Sequence, residues 1–339
     1  MTFKLNIDQD KKTPKYIQVV DTITEAIRLG KLKKGERILS INELSDEYFL
    51  SRDTVEKAYN ILRKQGIISS VRGKGFYIRH VDVHVPYKVL LIFNKISNYK
   101  KQIYQSFINT LGHQAIVDLK IHHSNTQLLQ SLIENHLEEY NYIVIMPHFY
   151  DDAEVARKIL NTIPSEKLIL LDKTIPHMPE HWAAVYQDFE NDIVEALENG
   201  MDLIKKYNQL YLVHPKLVPY PPEIVKGFRT FCMQYRFSYQ VIPEIEVGRK
   251  LNKGEAYIVI EETDLVNLIK NCRSENMKIG KDIGIISYNE TPLKEILQEG
   301  ITVISTDHIK MGETAAKLIL ENKKEKVKNN FELIRRKSL

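Results

Sequence analysis

The sequence predicts an α/β protein in two parts: an N-terminal winged helix-turn-helix, then a two-lobed body built on parallel sheets. Three observations carry that expectation. Near the start, two short helical patterns with good N-caps stand a tight turn apart, and a glycine-rich hairpin follows them. Beyond residue 87, short unbroken apolar runs alternate with helical stretches, as strands do when helices cover both faces of their sheet. Charge is also uneven: residues 1–80 hold 16 Lys and Arg against 10 Asp and Glu, and the remainder holds 32 against 34. A basic head on a neutral body is the asymmetry of a polyanion binder.

At 339 residues the chain exceeds one average core, and 43% hydrophobic with 27% charged residues describes an ordinary globular protein. No apolar run approaches the roughly twenty residues that cross a bilayer, so no membrane partner is expected. The segment Met1 to Asp8 lacks the apolar centre of a signal peptide, and Cys232 and Cys272 make no disulfide framework. The expected location is the cytoplasm.

In the head, Ile17, Val20, Ile23 and Ile27 recur at helical spacing, which predicts a helix from Tyr16 to Leu29 stopped by Gly30. Ser40 with Glu43 three residues on is a capping box, so a second helix should run from Ile41 to Tyr48. After Phe49-Leu50, Ser51 is another good N-cap. The helix it starts would bury Val55, Ala58 and Leu62 and end at Gly66 as C-cap. The second helix of such a pair enters the major groove N-terminus first. Arg52, Asp53 and Thr54 lie on its first turn and Lys57 on the next. Arg52 suits the O6/N7 edge of guanine or a phosphate, and a helix N-terminus offers free N–H groups. "IISSVRGKGFYI" (67–78) reads as strand, turn and strand, with Arg72, Gly73 and Lys74 at a wing tip that reaches the DNA backbone.

Residues 14–78 resemble the winged helix-turn-helix of the GntR family of bacterial regulators. "GKLKKGERI", "SINEL", "SRDTVEKAYNILRKQG" and "RGKGFYI" carry the likeness. By that resemblance Arg52 and Thr54 match positions that touch DNA, and Gly73-Lys74 matches the wing tip. Asn42 stands where many members carry Arg, and Glu56 where an Arg commonly reads bases. The DNA-facing set is therefore Asn42, Ser51, Arg52, Asp53, Thr54, Lys57, Arg72, Gly73 and Lys74, and the partner is double-stranded operator DNA.

The region 81–87 contains Pro86 and no periodic core and reads as a linker; the body is 88–339. Strands are expected at 88–93, 142–147, 167–172, 183–188, 209–214, 256–262, 282–288 and 301–306, with helices near 100–111, 125–139 and 190–206. Sheets of this kind bind ligands beyond the carboxyl ends of their strands. Polar groups collect there: Asn94, His148, Phe149, Asp172, Lys173, Gln187, Asp188, Glu261, Glu262, Asn289 and Glu290, with Tyr220 as an aromatic neighbour. A carboxylate or amide takes two hydroxyls of a polyol and a ring covers its C–H face, so the set suits a sugar.

The body resembles the periplasmic-binding-protein-like effector domain of the lac repressor family. The likeness is carried by "LLDKTIP", "VYQDFENDIVEAL", "VKGFRTFC" and the run from Asp282 to Leu320, with "FELIRRKSL" at the end. It implies that Asp172, Glu261 or Glu262, and Asn289 stand where family members hold sugar hydroxyls; Asn289 replaces the more usual Asp. An Arg often found shortly before the Gly-Phe pair is absent here, where Lys226 precedes Gly227-Phe228.

No nucleophile elbow, metal-ligand spacing or cofactor motif is present, and the body lacks the length of the aminotransferase-like domains that some GntR-type heads carry. The expected protein is not an enzyme and takes no cofactor and no metal. It is a homodimeric repressor of carbohydrate-utilisation genes, controlled by a pentose or deoxyhexose such as arabinose or fucose held between its lobes. The alternatives are a body that only dimerises, its cleft filled by large apolar side chains, or one that senses a molecule other than a sugar.

Overall fold

The computed structural model describes residues 5, 7–8, 13–28, 30–71, 73–79, 86–150, 153–178, 181–216 and 218–339. Internal contacts divide the chain into two compact units, Met1–Tyr87 and Lys88–Leu339. Of the expected linker, residues 81–85 lie outside the described residues, and Tyr87 already begins a strand of the body.

In the head, α1 (Lys15–Arg28) turns Val19, Val20, Ile23, Ala26 and Ile27 into a core. β1 (Arg37–Ile38) leads into α2 (Ile41–Tyr48). The capping box is formed: the Ser40 hydroxyl accepts from Glu43 N, and the Glu43 carboxylate accepts from Ser40 N at 2.6 Å. Phe49 makes the turn in the left-handed region, with φ 51°. Ser51 then caps α3 (Arg52–Lys64), whose Val55, Ala58, Tyr59 and Leu62 face inward. Of these, Val55 and Leu62 each contribute about 1.5–3 kcal/mol by full burial. The cap of α3 falls on Gln65, one residue before the expected Gly66, which takes the left-handed conformation after it (φ 73°). The hairpin is β2 (Ile68–Val71) and β3 (Gly75–Ile78), and β1 adds an unforeseen third strand on the far side of β3. Two residues of strand carry no periodicity, so β1 leaves no sequence signal.

The body has two lobes, each a six-stranded sheet. The first runs β4 (Tyr87–Phe93), α4 (Asn98–Leu111), β5 (Ala115–Ile121), α5 (Thr126–His136), β6 (Tyr142–Ile145), α6 (Ala153–Leu160), β7 (Leu168–Asp172), β8 (Ala183–Tyr186). The chain then crosses and builds the second: α7 (Phe189–Asn199), α8 (Met201–Ile204), β9 (Gln209–Val213), α9 (Glu223–Gln234), β10 (Ser238–Ile242), β11 (Glu255–Val259), α10 (Glu262–Ser274), β12 (Ile283–Tyr288), α11 (Pro292–Ile296), β13 (Thr302–Thr306). It returns as α12 (His308–Leu320) and β14 (Lys326–Lys328) and crosses a last time to β15 (Phe331–Ile334). The ladders β4–β6–β7–β8–β14 and β10–β9–β11–β12–β13 are parallel, and β15 closes the second sheet antiparallel.

Two glycines set the helix packing. A Cβ on Gly312 of α12 would stand 2.4 Å from Ile103 O of α4, and one on Gly227 of α9 would stand 2.2 Å from Glu190 O of α7. Neither helix pair could approach so closely with a side chain there. The three crossings are knitted by Asn329, buried in the third: its N–H donates to Tyr186 O at 2.7 Å, and its amide donates to Thr306 Oγ1 and Asp307 O, both at 2.8 Å. One residue, through its backbone N–H and its side chain, thus ties all three crossings.

Candidate functional site

On the head, the first turn of α3 is exposed at Ser51, Arg52 and Asp53, and Thr54 is half-buried. Ser51 Oγ accepts from Thr54 N at 3.2 Å, which fixes the first turn and leaves the Arg52 guanidinium to solvent. Asn42 is exposed on α2. Lys57 lies over the Tyr16 ring at 3.9 Å, so its stem packs on α1 before its charge reaches outward. At the wing, Lys74 is exposed, its N–H bonded to Val71 O, and Gly73 and Gly75 hold φ of 74° and 103°, values that glycine adopts freely. Arg72 lies outside the described residues.

In the body, a cleft of ≈ 460 Å³ opens between the lobes at the carboxyl ends of their strands. Its first-lobe wall is polar and buried: Asn94, Lys100, His148, Asp172, Gln187 and His308 are each under a tenth exposed. Asp172 ends β7 with φ 74°, a left-handed conformation that Asp tolerates better than most residues. His148 Nε2 donates to Asp172 Oδ2 at 2.7 Å, and Gln187 Nε2 donates to Oδ1. Burial works to raise the carboxyl. The hydrogen bond from His148, the charge of Lys100 and the bond from Gln187 outweigh it and hold Asp172 below the usual carboxylate range. Burial also holds the His148 imidazole below its ordinary value, so the neutral ring is the donor to Asp172.

Lys100 Nζ donates to Asn94 Oδ1, and burial draws its ammonium down to about 7. His308, whose ring lies 4.9 Å from that of Tyr99, is drawn by burial to about 4.

The second-lobe wall is of another kind. Phe189, Val218, Pro219, Tyr220, Pro221, Ile224 and Tyr288 make it aromatic and proline-rich, with Asn289 (φ 63°) as its amide. Tyr220 OH donates to Glu261 Oε1 at 2.6 Å, and burial pushes that phenol far above its ordinary value. Two buried polar atoms of the cleft have no hydrogen-bond partner: Tyr288 OH and Gln187 Oε1. Buried polar groups are normally satisfied, so these two ask for a ligand or water.

Six of the twelve expected ligand residues line the cleft: Asn94, His148, Asp172, Gln187, Tyr220 and Asn289. The other six lie elsewhere, for visible reasons. Phe149 stacks beside His122 in the first-lobe core, ring centroids 4.6 Å apart. Lys173 crosses to Glu223 at 3.5 Å, and Asp188 caps α7 by accepting from Asn191 N. Glu261 serves Tyr220 and stands 3.7 Å from Lys95, while Glu262 sits in the first turn of α10. Glu290 is held by Arg336 at 2.6 Å.

Sequence reasoning noted Lys95 beside Asn94 without placing it in the ligand set, and missed Tyr99, Lys100, Phe189, Val218, Pro219, Pro221, Ile224, Tyr288 and His308. Two of these had a signal. Lys100 begins the stripe Ile103, Phe107, Leu111, and His308 begins Met311, Ala315, Ile319, each a polar residue on a buried helix face. Among the described residues no group of three His, Cys, Asp or Glu is placed to hold a metal ion. Nor is any helix long and apolar enough to cross a membrane.

Comparison with known proteins follows the same division. Residues 15–78 match the model of bacterial regulatory proteins, gntR family, and residues 214–339 match the periplasmic binding protein-like domain. The chain is 34% identical over 119 residues to the HTH-type transcriptional repressor YtrA of Bacillus subtilis (strain 168), covering 35% of this chain and 86% of that one. It is 20% identical over 348 residues to the arabinose metabolism transcriptional repressor of Geobacillus stearothermophilus, covering 92% of each. A periplasmic binding protein/LacI transcriptional regulator from Alkaliphilus metalliredigens QYMF, solved with D-xylulofuranose, superposes with a TM-score of 0.57 at 13% identity, over 74% of this chain and 98% of that one. The expected two-part α/β architecture is therefore present, and all three similar proteins are regulators of transcription rather than enzymes. With its winged head and periplasmic-binding-protein-like body, the chain belongs to the gntR family of bacterial regulatory proteins.

Proposed function

We propose that the protein is a homodimeric, cytoplasmic repressor of carbohydrate-utilisation genes whose hold on operator DNA is relieved by a monosaccharide, a pentose or deoxyhexose such as arabinose or fucose, bound between the lobes. The observation that carries this reading is Asp172. It is an acceptor-only group, kept ionised at the buried centre of the cleft, and each of its oxygens has accepted one hydrogen bond and keeps room for another. Vicinal hydroxyls supply such donors. Lys100 offsets its charge, and Lys95 stands against Glu261, so the cleft suits a neutral ligand over a phosphorylated one. Rings and prolines opposite suit the C–H face of a sugar. A body that only dimerised would have filled this space with apolar side chains. The similarity to an arabinose repressor over 92% of both chains supports the same direction.

In operation, two heads would meet half-sites about one helical turn apart, with Arg52 of each α3 at base edges and Lys74 of each wing on the backbone. Asn42, Ser51, Asp53, Thr54, Lys57 and Gly73 complete that proposed surface. The sugar shifts DNA affinity only by preferring one closure state of the body over another.

The test is a thermal-shift screen of the full-length protein against pentoses, deoxyhexoses, hexoses and their phosphates. A ligand at about a thousand times its dissociation constant adds about 4 kcal/mol. A rise of several degrees with one neutral monosaccharide, and release by that sugar of operators selected in vitro, is the expected result. Arg52→Ala should lose the selected operators and keep the thermal shift. A shift only with phosphates, or none with any sugar, overturns the reading.

A further inference from the structure

We propose that Lys294, which does not line the cleft, is the positioning residue of the effector site: its ammonium clamps the turn that carries Tyr288 and Asn289, and effector affinity depends on that clamp. The inference rests on the effector reading above.

The geometry is specific. β12 ends at Tyr288, and the chain leaves the sheet through Asn289 in the left-handed conformation. Asn289 N–H is spent on Ile304 O at 2.8 Å, which leaves the carbonyls of the turn to be satisfied from below. α11 is one short turn begun by Pro292, and it returns the chain under those carbonyls. Lys294 Nζ donates to Tyr288 O at 2.9 Å and to Asn289 O at 2.7 Å, and Ile301 N donates to Lys294 O at 2.8 Å. Lys294 is 3% exposed. A lysine so deeply buried is rare, because taking an ammonium out of water costs several kcal/mol in practice. Its two acceptors are the backbone of the two residues that complete the second-lobe wall. A methionine of similar length would fill the space and leave both carbonyls without a donor.

The acidic groups that face it are Glu262 and Glu261 at the start of α10 and Glu290 in the next loop, and His308 faces it from α12. Burial outweighs the pull of those carboxylates and draws the Lys294 ammonium down to about 8. Below that value the clamp is charge-assisted; above it the neutral amine keeps two N–H donors but holds the carbonyls less strongly.

Hydrogen exchange on the full-length, sugar-free protein tests the clamp directly. In Lys294→Met the amides of Asn289 and Glu290 should exchange several-fold faster, with the rest of the second lobe unchanged and operator binding retained. Lys294→Arg keeps the charge and removes the titration, so it should restore wild-type exchange. Titration with arabinose and fucose then tests the consequence. Wild-type affinity should fall as pH rises through about 8. Lys294→Met should bind about tenfold more weakly at pH 7 with no step near pH 8. Any step near 7 from Lys100 should be common to both proteins. Unchanged exchange in Lys294→Met overturns the clamp. Faster exchange with unchanged affinity for a sugar that the wild type binds overturns its role in binding. If neither these two nor any other neutral monosaccharide of the thermal-shift screen binds the wild type, the effector reading fails and the exchange result alone decides the clamp.

Discussion

The two walls of the cleft are made of different chemistry although both stand at strand ends of similar sheets. The first-lobe wall is a closed set of buried donors and acceptors around one carboxylate: Asn94, Lys100, His148, Asp172 and Gln187. The second-lobe wall is Phe189, Pro219, Tyr220, Pro221, Ile224 and Tyr288, with a single amide. Hydrogen bonds are directional and discriminate between epimers, whereas rings and prolines reward any apolar face pressed against them. The division teaches where specificity and closure reside. On the proposed reading, one lobe would read the ligand and the other would be drawn onto it. A ligand that binds the polar wall first gains most of its remaining contact only when the lobes meet, which makes closure the state it favours.

If the polar wall does the reading, its centre should carry the largest effect. Asp172→Asn preserves shape but replaces one acceptor by a donor that faces either His148 or Gln187, both of which already donate there. Removing one member of a buried, hydrogen-bonded charge set costs about 2–5 kcal/mol. Affinity for the sugar found in the thermal-shift screen should fall about a hundredfold by calorimetry, with operator binding intact and sugar release of DNA abolished. A loss below about threefold would break the comparison, because the polar wall would then be packing rather than recognition.

What the sequence disclosed follows the same physical line. Local signals were legible: the capping box at Ser40 and Glu43 and the cap at Ser51 need only neighbours in the chain. Central strands such as β6, β7 and β12 were legible because every residue in them is buried. The edge strands β5 and β10 were not. Asp118 and Lys120 in one, and Ser238 and Gln240 in the other, break the apolar run on the face that meets water.

At the cleft, six strand-end groups stand out in the sequence: Asn94 and Lys95 both line the cleft, Glu261 and Glu262 do not, and of the other four only the first member does, His148 but not Phe149, Asp172 but not Lys173, Gln187 but not Asp188, Asn289 but not Glu290. Simple strand alternation does not decide which member faces the cleft, because Asp172 and Asn289 take left-handed backbone and Asp188 caps α7 where the strands end. Those turns are set by the fold around them. Tyr288 was read only as the last apolar residue of its strand, since the exposure of its hydroxyl to the cleft is decided by the facing lobe.

Tyr288 sharpens the comparison, because beside the Asn289 amide it gives the apolar wall a second polar group, one with no partner. Its hydroxyl is buried and unpartnered, and burial drives the phenol well above its ordinary value, so it is a neutral donor. Tyr288→Phe should therefore act in opposite directions on two measurements. Without sugar, removal of an unsatisfied hydroxyl should raise the melting temperature by a degree or so, corresponding to about 0.5–1 kcal/mol. With sugar, loss of the hydrogen bond should weaken binding about fivefold to tenfold. A variant that loses stability and keeps affinity would show that the hydroxyl serves the fold, and the second wall would then offer a ligand only the Asn289 amide as a polar group.

The smallest effect should come from the contact that joins the walls without touching the ligand space. Lys173, next to Asp172, reaches Glu223 at the start of α9 at 3.5 Å, and the two side chains are 23% and 41% exposed. Ion pairs this exposed contribute about 0–1 kcal/mol and weaken with salt. The pair bridges the lobes only when they are closed, so it adds to the closed population before any sugar arrives. Glu223→Gln should remove that bias. Apparent sugar affinity should fall by about twofold at low ionic strength and by less in 0.5 M salt, since a ligand's apparent affinity scales with the fraction of protein already competent to bind it. The wild type should lose the same factor between the two salt conditions, and the variant should not. A loss of more than about fivefold that persists in high salt would mean that Glu223 touches the sugar, and the second wall would then read its ligand as the first one does.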